Sequence, residues 1–85
     1  LRMKATIRNI LGEVARLDVP LATLADNDDL YAAGLSSLAT VHVMLALENA
    51  FDIEIPDQML TRQLFRSVDS LAAAVEAIRQ QQEAA

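Results

Sequence analysis

Apolar residues recur at helical spacing in three separate runs of this chain, and almost no turn-forming material interrupts them. Met3, Ile7, Ile10, Leu11, Val14 and Leu17 make the first run, with Arg8, Glu13 and Arg16 falling elsewhere on the wheel. Residues 38–51, Leu-Ala-Thr-Val-His-Val-Met-Leu-Ala-Leu-Glu-Asn-Ala-Phe, make the second. Val68, Leu71, Ala72, Val75 and Ile78 make the third. The 85 residues include two Gly and two Pro, too few for the tight turns of a hairpin-rich β fold. The reading is all-α: a small four-helix bundle of three longer helices and one short one. Residues 1–85 are expected to form a single domain without internal repeats, with an ordered core over about 3–79 and a fraying polar tail at 80–85.

The boundaries follow from local chemistry. Pro20 closes the first helix at or before Val19, because the residue before a proline avoids the α region. Residues 18–36 then form a long loop carrying Pro20, Thr23, Asp26, Asn27, Asp28, Asp29 and Gly34, pinned by Leu21, Leu24, Leu30, Tyr31 and Leu35. A loop that long in so small a domain usually has a function. Ser36 and Ser37 precede the second helix as N-cap candidates, and Ser67 does the same for the last. Between them Ile53 to Leu60 holds the short helix, with Pro56 suited to its first turn.

Charge is distributed unevenly. Seven Lys and Arg face twelve Asp and Glu, a net charge of −5. No base stands between Arg16 and Arg62, a stretch that holds Asp18, Asp26, Asp28, Asp29, Glu48, Asp52, Glu54 and Asp57. Such a block repels a phosphate backbone, so nucleic acid is not an expected partner. It attracts basic protein surfaces, or simply keeps a small protein in solution. The absence of Cys removes disulfides, thiolate metal sites and a cysteine nucleophile, and one His builds no metal site. The Asp26-Asn27-Asp28-Asp29 cluster does not fit an EF-hand loop, which needs a ligand at Leu30 and Gly at Tyr31; it reads as a turn with solvated acids. No catalytic residue and no metal ligand is assigned, and no enzymatic activity is expected. No apolar run is long enough for a membrane span, so no membrane association is expected. The amphipathic pattern begins directly after Leu-Arg-Met-Lys-Ala with no signal-peptide core, which points to the cytoplasm. Met3 is a candidate for the natural start, and the sequence leaves open whether Leu1 and Arg2 are native.

The second helix is apolar around most of its circumference. Val43, Ala46, Leu47, Ala50 and Phe51 form one stripe suited to the core; Leu38, Val41 and Leu45, with Glu48, form another offset from it. Such a helix is either fully surrounded or shows apolar surface to a partner, and the pattern alone leaves both open. Ser37 has no base to activate it, since His42 lies five residues along the helix with no reason to reach back. A helix N-terminus favours an attached phosphate, so the position suits a serine that is modified, not one that attacks.

Gly34-Leu35-Ser36-Ser37-Leu38, then Thr40-Val41 and Met44-Leu45-Ala46-Leu47-Glu48, resembles the acyl carrier protein family around its Gly-x-Asp-Ser-Leu motif. Phe51-Asp52-Ile53-Glu54-Ile55-Pro56-Asp57 is similar to the family's stretch after its second helix, and Ser67-Val68 with Leu71 falls where its last helix opens. The resemblance implies a four-helix carrier holding 4′-phosphopantetheine as a phosphodiester on Ser37, with Ser36 at the family's Asp position. It further implies a cargo thioester on the cofactor's thiol and no catalysis by the chain itself. Partner enzymes would dock on the second helix, and Ser36, Leu38, Val41, His42, Leu45 and Glu48 are the expected partner face. Relative to the fatty-acid carriers, acids on that helix are replaced at Ser36, Ala39, His42 and Asn49, with Glu48 kept. The segment from Pro56 to Val68 is also about two residues longer. With Tyr31-Ala32-Ala33-Gly34-Leu35-Ser36-Ser37 and Ile55-Pro56-Asp57, this looks more like the freestanding bacterial aminoacyl carrier proteins, whose small amino acids are loaded by truncated relatives of seryl-tRNA synthetase. The implied partners are a phosphopantetheinyl transferase and either such a synthetase-like amino acid ligase or acyl transferases, acting on a monomer. Partners are expected to touch the acids of the loop and of the helix ends more than the helix middle. The alternatives are a fatty-acid or polyketide carrier and, in another class, an unmodified helical interaction module.

Overall fold

Three α-helices and three short 3₁₀ turns make up the secondary structure of residues 2–84, which the computed structural model describes. What was expected of Leu1 and of Ala85 lies outside the described residues. The helices are α1 (Met3–Val14), α2 (Ser37–Phe51) and α3 (Val68–Ala84), and no strand occurs among the described residues. The 3₁₀ turns span Leu21–Thr23, Asp57–Met59 and Arg62–Phe65. The all-α expectation therefore holds, with α1 packed on both α2 and α3 and the Arg62–Phe65 turn packed on α3.

The core forms where the apolar stripes meet. Ile7, Ile10 and Leu11 from α1, Val43 and Leu47 from α2, and Val68, Leu71 and Val75 from α3 are buried together. Each such side chain contributes roughly 1.5–3 kcal/mol by leaving water. Leu30, Leu64 and Phe65 close the same core from the connecting segments.

The first helix ends sooner than Pro20 implied. Ala15 still donates its N–H to the Leu11 carbonyl, but Arg16 takes a left-handed conformation at φ 53° and the chain turns away. Leu17 thus leaves the helical face, although it still packs against the core. What draws the chain aside is the next contact: Asp18 N–H donates to the Ala33 carbonyl at 2.8 Å. Gly34 follows at φ 107°, and a Cβ there would sit 2.5 Å from Asp18 Oδ2 and 3.0 Å from its backbone nitrogen. Only glycine tolerates both the angle and the crowding.

The expected short helix between Ile53 and Leu60 takes the 3₁₀ form, over Asp57–Met59. Pro56 stands just before the Asp57–Met59 turn with an extended ψ of 146°, not inside a first helical turn. Thr61 is extended and separates that turn from Arg62–Phe65. Segments of three and four residues are too short to nucleate an α-helix, and the tighter 3₁₀ form closes them. At the C-terminal end α3 runs through Gln80–Ala84. An i,i+4 bond from Gln80 Nε2 to Glu76 Oε2 at 3.2 Å supports that last stretch.

Ser67 opens α3 as its cap. Its Oγ accepts from Ser70 N–H at 3.0 Å, and Ser70 Oγ accepts from Ser67 N–H at 2.9 Å, a reciprocal arrangement of the capping-box kind.

Candidate functional site at the start of the second helix

Two adjacent serines divide two tasks at the N-terminus of α2. Ser36 is extended (φ −89°, ψ 164°), and its Oγ accepts from Ala39 N–H at 3.1 Å, which makes it the cap. Ser37 is the first helical residue and is exposed. Its carbonyl accepts from Thr40 Oγ at 2.6 Å, while none of the described side-chain hydrogen bonds engages its own Oγ. No acidic residue occupies the first turn of α2, so no side-chain carboxylate competes for the positive end of the helix.

Ser37 opens onto a surface depression shared with Tyr31, Thr40, Leu60, Arg62 and Phe65. The depression joins three parts of the chain: the end of the long loop, the first turn of α2 and the 60–65 segment. Its wall is held by Tyr31, whose phenol donates to the Arg62 carbonyl at 2.8 Å while the Arg62 guanidinium lies 3.8 Å over the ring. Burial pushes the Tyr31 phenol above its ordinary pKa; the Arg62 charge acts against that rise and the Asp29 charge adds to it. Hydroxyls, an apolar side and one cation beside an unengaged serine fit a phosphate with a pantetheine chain attached to it.

The outward side of α2 is apolar. Leu38 is 68% exposed, Leu45 54% and Val41 46%, whereas Val43 and Leu47 are fully buried. The two stripes read from the sequence are thus separated: one is core and the other faces solvent, with the exposed His42 beside it. Three details differ from expectation. Ala50 is exposed instead of joining the core stripe, two residues before Asp52 ends the helix in a left-handed conformation (φ 54°). Ala39 is buried, so no partner reaches that position. Glu48 is half-buried and accepts from Ile55 N–H at 2.9 Å, which ties the segment after α2 back onto it.

The acids of the long loop are likewise engaged. Asp26 Oδ1 accepts from Arg8 Nε at 3.0 Å and from Arg8 Nη2 at 2.7 Å, and Arg8 Nη2 also donates to the Leu24 carbonyl at 2.7 Å. Asp28 accepts from Ala25 N–H, and Asp29 accepts from the N–H groups of Tyr31 and Ala32. Lys4 bridges from α1 to Asp69 at 2.7 Å and to Asp26 at 3.8 Å; its hydrogen bond and attraction to Asp69 raise the lysine pKa. The cluster expected to be solvated instead holds the loop. Among the described residues no group of three His, Asp or Glu is placed to bind a metal ion, and no helix is long and apolar enough to cross a membrane.

Sequence reasoning singled out Ser36, Ser37 and the outer stripe but not the depression. Thr40 was legible in principle, three residues along the same helix from Ser37. Tyr31 and Arg62 were not, because only the tertiary fold brings the loop and the 62–65 turn to the start of α2.

The model of the phosphopantetheine attachment site family matches residues 5–75. An aminoacyl carrier protein of Agrobacterium fabrum is 51% identical over 83 residues, covering 98% of this chain and 100% of the relative. Among solved structures, a similar chain occurs in an engineered Bradyrhizobium japonicum glycine:[carrier protein] ligase complexed with carrier protein from Agrobacterium tumefaciens and ATP. It is 51% identical with a TM-score of 0.87, over 91% of this chain and 100% of that one. The solution structure of a holo acyl carrier protein from Nitrosomonas europaea matches at 34% identity and a TM-score of 0.81, over 94% of this chain and 99% of that one.

Proposed function

The chain belongs to the phosphopantetheine attachment family of carrier proteins, and from that membership we infer that it carries a small amino acid on a 4′-phosphopantetheine attached at Ser37. When bound, the group supplies a thiol at the end of a flexible arm, which this Cys-free chain otherwise lacks. The chain is a carrier and not a catalyst. Its residues hold, orient and present.

One observation carries the choice of serine: Ser36 caps α2, and Ser37 is exposed with its Oγ unengaged. A phosphodiester at the first helical position stands at the positive end of the macrodipole, an interaction typically worth about 0.3–1 kcal/mol at an exposed site. Ser36, committed to Ala39 N–H, would lose its cap if modified.

The cargo and partner follow from the outer face of α2 read together with the relatives. A ligase that activates a small amino acid with ATP would dock on Leu38, Val41 and Leu45, with His42 beside them. That face offers apolar area and no free carboxylate, because Glu48, the helix's sole acid, holds Ile55. Enzymes that grip rows of acids on a carrier helix find none here. Ser36 and Ser37 lie at one end of this face, so a docked enzyme meets the arm where it leaves the helix. In this reading the protein works in the cytoplasm as a monomer, after modification by a phosphopantetheinyl transferase.

The test offers the holo protein, side by side, an amino acid:[carrier protein] ligase with ATP and glycine or alanine, and a fatty-acid malonyl transferase with malonyl-coenzyme A. Aminoacylation with little malonylation is the expected result. Efficient malonylation without aminoacylation by any ligase of the same genome would overturn the amino acid cargo.

A further inference from the structure

Arg62 differs from the bases that ion pairs hold in place. Lys4 and Arg8 are neutralised by Asp26 and Asp69, whereas Arg62 takes part in none of the ion pairs among the described residues. It is nonetheless fixed. Its guanidinium stacks 3.8 Å over the Tyr31 ring, and the Tyr31 phenol grips the backbone of the same residue at 2.8 Å. Tyr31 is itself set by Asp29, which accepts its N–H at 2.9 Å. A guanidinium held over an aromatic face keeps its N–H groups at the ring's edge for an anion, and little side-chain freedom remains to be lost on binding one.

The location gives that charge a use. Among the described residues Arg62 is the only cation lining the depression into which Ser37 opens, and it ends a run with no other base back to Arg16. A phosphodiester on Ser37 brings a full negative charge into this acidic half of the chain. We propose that Arg62, preorganised on Tyr31, is a positioning residue that pairs with the phosphate on Ser37. It thereby sets the direction in which the arm leaves α2, along the depression lined by Thr40 and Leu60. The inference rests on Ser37 as the attachment site. It adds a contact on the 62–65 turn that neither the helix N-terminus nor the partner face supplies. Such a pair is partly exposed, so salt should weaken it.

The experiment compares the holo protein with holo Arg62→Gln and holo Arg62→Lys. Peptide mapping by mass first places the group; its absence from Ser37 in the wild type defeats the attachment reading itself, whatever Arg62 does. With the group on Ser37, the phosphorus-31 resonance of the folded wild type should differ from that of the same protein in urea. Cross-relaxation should connect the Arg62 side-chain protons with the methylene next to the phosphate. In Arg62→Gln the resonance should move toward the urea value, Arg62→Lys should restore part of the difference, and about 1 M salt, with its Debye length near 3 Å, should erase most of the part due to Arg62. The lone tyrosine reports on the same place: attachment should change Tyr31 fluorescence in the wild type more than in Arg62→Gln. A wild-type resonance equal to the urea value, or one unchanged in a folded Arg62→Gln protein, would overturn the proposal. Should Arg62→Gln fail to fold, Arg62→Lys and the salt series decide by the same criterion.

Discussion

The long loop and the outer face of α2 exchange the roles that their compositions imply. The loop holds Asp26, Asp28 and Asp29, charges of the kind that attract a partner, yet all three hold the protein's own chain. The face of α2 holds Leu38, Val41 and Leu45, residues of the kind that fill a core, yet all three face solvent. The difference teaches that a small bundle spends polar groups where its backbone is irregular. The 19-residue stretch from 18 to 36, without regular ladders, leaves N–H groups to satisfy, and short acidic side chains satisfy them. The helix satisfies its own backbone, which frees its outer side chains for another molecule.

Charging each face of α2 in turn should produce the largest contrast. Val43→Asp or Leu47→Asp should unfold the domain, because a buried unpaired carboxylate costs several kcal/mol. Val41→Asp or Leu45→Asp should shift stability by about 0.5 kcal/mol or less while impairing aminoacylation by the ligase. Circular dichroism in denaturant, measured beside the aminoacylation rate, separates the two. Equal unfolding by both pairs would return the outer stripe to the core.

A smaller effect sharpens the loop half of the comparison. Arg8→Met removes the fork on Asp26 and the donors to the Leu21 and Leu24 carbonyls. It should cost about 1–3 kcal/mol, the range for charge-assisted bonds whose partners are left partly buried. Asp57→Asn, an exposed acid outside the loop, should cost less than about 0.5 kcal/mol. Denaturant midpoints of the two variants check this. If Arg8→Met proves as mild as Asp57→Asn, the loop acids are not structural.

The helices and most of the core were legible because helical periodicity is local: Ile7, Leu11, Val43, Leu47, Leu71 and Val75 announce their faces by spacing alone. Ser36 and Ser37 were legible for the same reason, as short hydroxyl side chains before an apolar run. The end of α1 was not, because a non-glycine residue at positive φ, Arg16, carries no sequence signal and is enforced by the Asp18–Ala33 bond across the loop. The segment after α2 misled for a related reason. Pro56 fits a helical first turn on local grounds, but the preceding residues are non-helical, with Ile55 N–H bonded to Glu48 and Ile53 and Ile55 buried. Arg62 beside Ser37 is a purely tertiary juxtaposition, and no period or spacing in the chain connects them.

The carrier role turns on one hydroxyl, and its most direct test is intact-mass measurement after incubation with coenzyme A and a broad-specificity phosphopantetheinyl transferase, followed by peptide mapping. The expected outcome is a single phosphopantetheine addition mapped to Ser37, abolished in Ser37→Ala and retained in part in Ser36→Ala, where only the cap, worth about 1 kcal/mol, is lost. An addition mapped to Ser36, or one that persists undiminished in Ser37→Ala, would contradict it.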